Sequence, residues 1–110
     1  MIPLPSQEFF ETLLSPRNQS RDPLCIILFT AAWCSPCSKL DKDYLANIPN
    51  IKWYKCDITE NKYTPGYCGV TSIPAFLAII NGQPQPLFVS SNTEKVEEWT
   101  KGLKTLSKIT

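Results

Sequence analysis

Histidine is absent from the 110 residues, which removes Cys₂His₂ zinc sites, cysteine-histidine nucleophile pairs and the commonest neutral general base. A charge excess is absent too. Eleven basic and ten acidic side chains leave a net +1, and Lys39, Lys42, Lys101, Lys104 and Lys108 are interspersed rather than massed, so nucleic acid is not an expected partner. No apolar run suits a bilayer: the longest, Leu24 to Trp33 interrupted only by Thr30, is about half the length of a spanning helix, which argues against a membrane role. The start, Met1-Ile2-Pro3-Leu4-Pro5-Ser6, has neither the basic residues nor the hydrophobic segment of a secretory leader, and the expected location is cytoplasmic. No glycine-rich nucleotide fingerprint occurs, so electrons for any redox chemistry must come from outside the chain.

What is present has the composition of a globular protein: 43% hydrophobic residues, twelve aromatics by type (five Phe, four Tyr, three Trp) and no low-complexity tract. The length matches one domain, 1–110, able to hide about two-thirds of its unfolded surface. Five cysteines cannot all pair, and in a chain with the expected intracellular address they point to redox or metal chemistry rather than to a disulfide scaffold.

Periodicity and punctuation give the elements. Met1 to Leu4 suits a short edge strand, where Pro3 and Pro5 are tolerated. Ser6 caps a helix with Phe9, Phe10, Leu13 and Leu14 on one face, closed by Pro16. Leu24 to Phe29 is continuously apolar, as in a central strand covered on both faces. Pro36 to Ile48 reads as one helix, with Pro36 in its first turn and Pro49 as its stop. Ile51 to Asp57 reads as a second inner strand, followed by a short helix capped by Thr59 and ending near Pro65-Gly66. Ala75 to Ile80, the turn Asn81-Gly82 and a return strand near Leu87 to Val89 form an antiparallel hairpin. Val96, Trp99, Leu103 and Leu106 then line a final helix behind Asn92 or Thr93. Strands alternating with helices predict an α/β fold with helices on both faces of the sheet.

The chemistry concentrates in Trp33-Cys34-Ser35-Pro36-Cys37, where two thiols three residues apart straddle a strand-to-helix junction within reach of one disulfide. Unpaired amides at a helix start favour a thiolate, so Cys34 is expected to be the reactive thiol and Cys37, one turn further in, the resolving one. Two alternatives stand beside this. The pair could simply pack, or it could join Cys56 and Cys68 in a Cys₄ zinc site, although those two lie eleven residues apart rather than as a second close pair. Cys25 and Cys56 lie within inner strands and are expected to be inert. Cys68 falls in the loop before Pro74 and is expected to be partly exposed, a candidate for modification or an intermolecular bond.

Ala31-Ala32-Trp33-Cys34-Ser35-Pro36-Cys37 resembles the W-C-G-P-C active site of the thioredoxin family, and Gly69-Val70-Thr71-Ser72-Ile73-Pro74-Ala75 resembles its G-V-x-x-x-P-T segment. The resemblance covers nearly the whole chain. It implies the thioredoxin fold, a mixed sheet of four to five strands with about four helices, and catalysis by Cys34 and Cys37. It also implies a cis Pro74 facing the cysteines, backbone hydrogen bonds from Ile73 to an extended substrate, and a docking surface that includes Trp33 and Pro36. By resemblance the activity is reduction of protein disulfides, with no bound cofactor beyond the redox-active cysteine pair, by a monomer recharged by a separate thioredoxin reductase or thiol reductant. Lys55 matches a family lysine beneath the active site. Several positions depart from the pattern: Leu28 for a buried Asp implicated in proton transfer at the second thiol, Ser35 for Gly, Lys42 for a helix-kinking proline, Thr30 for an aromatic and Ser90 for a groove glycine. Those departures leave a second reading open, a binding or scaffold module with little turnover. A secretory oxidase or isomerase ranks last, for want of a leader and of a histidine inside the motif.

Overall fold

The computed structural model describes residues 1–14 and 24–109. Its centre is β2, Leu24–Thr30, in which every residue is buried. A strand with apolar side chains on both faces must be covered on both, and that requirement organises the rest. On one side β2 pairs in parallel with β3, Lys52–Asp57, which pairs in parallel with the edge strand β1, Ile2–Pro3. On the other side β4, Ala75–Ile80, runs antiparallel to β2. Two short strands, β5 at Gln83–Pro84 and β6 at Phe88–Val89, pair antiparallel with opposite ends of β4.

The side chains alternate between two cores. Cys25, Ile27 and Phe29 face one layer with Tyr54, Cys56, Leu77 and the helix α1, Gln7–Leu13. Leu24, Ile26 and Leu28 face the other with Phe76 of β4 and with Leu40, Leu45, Val96 and Leu103, which three further helices carry or adjoin. These are α2 at Ser35–Ser38, α3 at Lys42–Ala46 and α5 at Thr93–Ile109, while α4, Tyr63–Cys68, lies near α1. Trp53 is buried, and the ring of Trp99 stacks on Phe88 at 4.9 Å, so both indoles pack with the core.

Several local expectations hold for the stated reasons. The Ser6 hydroxyl accepts the Phe9 amide at 3.1 Å, and Asn92, rather than Thr93, caps α5 by accepting the Lys95 amide at 3.0 Å. Asn81 and Gly82 have φ of 51° and 82°, the positive values a tight hairpin turn requires. The expected stop at Pro16 lies outside the described residues.

Others are corrected. The helix read over Pro36 to Ile48 is two helices, because the Asp41 carboxylate accepts the Tyr44 amide at 3.0 Å and starts a new helix. The Asp41 amide is meanwhile taken by the Thr93 hydroxyl at 3.0 Å, outside any helical ladder. With this break the described chain has five helices around a mixed sheet that includes the two-residue strands β5 and β6, in the expected α/β fold. Thr59 caps nothing, since its hydroxyl and amide both bind the Asp57 carboxylate, and the helix starts four residues later with Asn61 accepting the Thr64 amide. Pro65 therefore sits in the first turn of α4, where its missing N–H costs nothing, and Gly69 at φ 75° ends the helix. The expected return strand is present as β6, with the additional β5 before it, and Leu106 is half exposed, unlike the other apolar residues of the α5 stripe.

Candidate functional site

The strand β2 ends at Thr30, and the chain turns through Ala31 and Ala32 before α2 begins. Cys34 is itself the cap of α2. Its extended backbone, φ −85° and ψ 104°, lets Sγ accept the Cys37 amide at 3.2 Å. Pro36 occupies the second helical position and is exposed, and it leaves no amide unpaired there. Cys34 and Cys37 are bonded to each other with their Cα atoms 5.3 Å apart. The α2 helix has only four residues, so the favourable field at Cys34 comes from this one directed amide more than from a long-helix macrodipole.

Cys34 and Cys37 pack with Ala31, and Ile58 and Ile73 close over the group. The Ile73–Pro74 peptide is cis, as the resemblance implies, and the Ile73 carbonyl oxygen lies 3.9 Å from Cys34 Sγ. Trp33 is 67% exposed. With Ile58, Pro65, Val70 and Ile73 it lines an open apolar groove of about 600 Å³, on whose wall Lys62 is the one charged residue. Ile58, Lys62 and Pro65 escape sequence reasoning because they come from the segment whose helix was misplaced. A smaller cleft of about 240 Å³ is lined by Cys34 and Cys37 with Thr30, Lys42, Lys55 and Asp57. Asp57 could have been found from strand register, since it pairs with Thr30 at the end of β2.

The other thiols are set apart. Cys25 and Cys56 are buried, and burial, with Cys68 nearby, pushes the Cys56 thiol up to about 11. Cys68 is the last residue of α4 rather than part of a loop, half buried, and burial pushes its thiol up to about 11 as well. Cys68 is partly exposed, as expected, and a protonated, half-buried thiol is a poor nucleophile, which weighs against modification through it. Among the described residues no group of three or more His, Cys, Asp or Glu side chains is placed to hold a metal ion, and Cys34 is spent on Cys37 rather than on a Cys₄ set. No described helix is long and apolar enough to cross a membrane.

The thioredoxin family model matches residues 1–102. The chain belongs to the thioredoxin family. Among thioredoxins, it is 28% identical over 100 residues to putative thioredoxin-5 of Dictyostelium discoideum, covering 80% of this chain and 95% of that protein. It is 32% identical over 85 residues to mitochondrial thioredoxin-3 of Saccharomyces cerevisiae, covering 74% of this chain and 64% of that one. The solved structure of Fasciola hepatica thioredoxin superposes with a TM-score of 0.77 at 29% identity, over 89% of this chain and 94% of that chain. With a thioredoxin fold and a bonded C-x-x-C pair, the protein is a thiol-disulfide oxidoreductase.

The two site sulfurs differ in their surroundings. Cys34 is 6% exposed and Cys37 1%, and only Cys34 Sγ receives the directed amide. After reduction, iodoacetamide at neutral pH should therefore alkylate Cys34 at least about tenfold faster than Cys37, read by peptide mass analysis. Faster modification of Cys37 would reverse the two roles.

Proposed function

We propose that this thioredoxin-family chain is a protein-disulfide reductase in which Cys34 attacks and Cys37 resolves. The Cys34 thiolate displaces one sulfur of a substrate disulfide, which leaves as a thiolate, and a mixed disulfide forms. Cys37 loses its proton and attacks Cys34 Sγ, the second substrate thiol departs, and the Cys34–Cys37 bond closes. Two electrons have then passed to the substrate. A separate thioredoxin reductase or a small thiol returns them, so the cycle uses no bound cofactor. The observation that carries this reading is the Cys37 amide directed at Cys34 Sγ, which stabilises the attacking thiolate in advance.

Trp33, Pro36, Ile73 and Pro74 form the docking surface in this reading. An extended substrate segment lies along the groove beside Trp33, and the Ile73 backbone pairs with it next to Cys34. The chain works as a cytoplasmic monomer of one domain, 1–110, on disulfide-containing proteins. A Cys37→Ser variant tests the scheme, because attack survives while resolution is lost. It should accumulate mixed disulfides that withstand denaturant and vanish with dithiothreitol on non-reducing gels. Turnover of a protein disulfide by Cys37→Ser at the wild-type rate would remove Cys37 from the resolving role.

A further inference from the structure

In the cleft beside the dithiol one charge, that of Lys42, stands where the family's pattern has a proline. Three charged side chains line it with Cys34 and Cys37: Lys42 from the start of α3, and Lys55 and Asp57 from β3. The Asp57 carboxylate is committed to Thr59, accepting its hydroxyl at 2.6 Å and its amide at 2.9 Å. Those bonds, with Lys55 beside them, hold its carboxyl below the ordinary range and make it a weak base. Leu28 supplies no carboxylate at all, being wholly buried among Leu40, Leu45 and Phe76. Among the described residues the cleft thus offers no effective proton acceptor for the second thiol.

It does offer a fixed cation. The Lys42 ammonium donates to the carbonyl oxygen of Cys37 at 3.3 Å, which anchors a positive charge on the residue whose thiol must ionise. The break between α2 and α3 makes this possible, since Lys42 opens the second helix and its side chain reaches back over the last turn of the first. Where related chains carry a proline at this place and an aspartate at position 28, this one has gained a positive charge on the Cys37 carbonyl, in the cleft that Cys37 lines, and lost a negative one two residues before Thr30 of the same cleft. Both exchanges favour the thiolate.

We propose that Lys42 is a positioning residue for the resolving thiol: its ammonium, held on the Cys37 carbonyl, stabilises the Cys37 thiolate and does by charge what a buried carboxylate does by accepting a proton. The proton itself passes to water or to the departing substrate thiolate, and the electron pair of the new S–S bond comes from Cys37. This rests on the reading of Cys37 as the resolving thiol, so the primary test does not use activity.

In a Cys34→Ser background, thiolate absorbance is followed against pH, and the curve of a Cys34→Ser/Cys37→Ser double variant is subtracted to isolate Cys37 from Cys25, Cys56 and Cys68. Below the midpoint, Lys42→Met should lower the Cys37 thiolate fraction by roughly three- to tenfold, Lys42→Glu should lower it further, and Lys42→Arg should restore it to within about twofold. A role confined to local packing predicts equal effects for Met and Glu and no rescue by Arg. Folded Lys42→Met and Lys42→Glu proteins with an unmoved Cys37 titration would overturn the proposal. Rapid mixing with a preformed mixed disulfide adds the second arm: resolution should slow in Lys42→Met by the same factor and converge with wild type at alkaline pH. A moved titration with unmoved resolution would uphold the charge effect on the thiol and overturn the claim that this charge sets the rate of resolution.

Discussion

Serine in place of Cys34 should reduce dithiothreitol-driven turnover of an insulin-type disulfide to the uncatalysed background, a loss of at least about a thousandfold, as expected when a nucleophile is removed from a site with no substitute. The physical case is that a hydroxyl remains protonated at neutral pH unless a general base takes its proton, and the chain contains no histidine. Asp57, whose carboxylate lines the cleft with Cys34, is bound up with Thr59 and held below the ordinary carboxyl range. Cys37 cannot substitute efficiently as the attacking thiol. It is 1% exposed, and its amide points towards position 34 while its own sulfur receives no such bond among the described contacts. Cys25 and Cys56 are buried in the sheet, and Cys68 is half buried with its thiol pushed up to about 11. Thermal melts should show Cys34→Ser still folded, because the site sits at the end of β2 rather than in either large core. A turnover rate unchanged from wild type would defeat the reductase reading and revive that of a scaffold, which nothing in the family match or the bonded pair now supports.

The parts of this architecture that a sequence reader can find are those fixed by a few neighbouring residues. The continuous run Leu24 to Phe29 could only be a doubly covered strand, and all seven residues of β2 are buried. Ser6 before an apolar stripe, and Asn81-Gly82 between two strands, carry their own backbone chemistry. The C-x-x-C pair and its place at a helix start were equally local. What escaped depends on partners far along the chain. The break after α2 is set in part by Thr93, 52 residues away from the Asp41 amide it binds, and no period in the segment announces it. Thr59 looks like a helix cap, but Asp57 two residues earlier captures its hydroxyl, a competition between local bonds that propensity does not rank. The apolar groove needs Trp33, Ile58 and Ile73 from three separate loops, and the charged cleft needs the register that sets Thr30 opposite Asp57. Lys42 was visible as a departure from the family pattern, yet its contact with Cys37 follows only once the helix is seen to be broken.

The substitution Leu28→Asp should cost about 3–5 kcal/mol of stability, the range for an uncompensated buried charge or a lost core leucine, and lower Tm by roughly 15–20 °C in a domain of this size. Leu28 has no exposed surface and packs with Leu40, Leu45 and Phe76, so a carboxylate there replaces apolar contacts and loses its water. Its cross-strand partner Lys55 supplies a cation and offsets only part of that cost. The pH dependence identifies the cause. Burial raises the folded-state pKa of the new Asp above its unfolded value of about 3.9, so the native state binds the extra proton between those two values. Stability relative to wild type must then be least impaired in acid, fall as pH rises from about 4 through the raised value, and level off above it. Leu28→Asn separates charge from polarity, since it should cost stability with no such pH dependence. The same Asp should accelerate resolution of a preformed mixed disulfide near neutral pH by about tenfold, a modest share of what a positioned general base supplies. Thr30, two residues on and on the same face of β2, already lines the cleft with Cys37, so a carboxylate at 28 sits one step beneath the thiol. Rapid-mixing kinetics read this half and thermal melts across pH the other. A folded Leu28→Asp protein that resolves at the wild-type rate would show that proton removal from Cys37 does not limit the step. The leucine would then be a packing choice that the fixed Lys42 charge makes affordable.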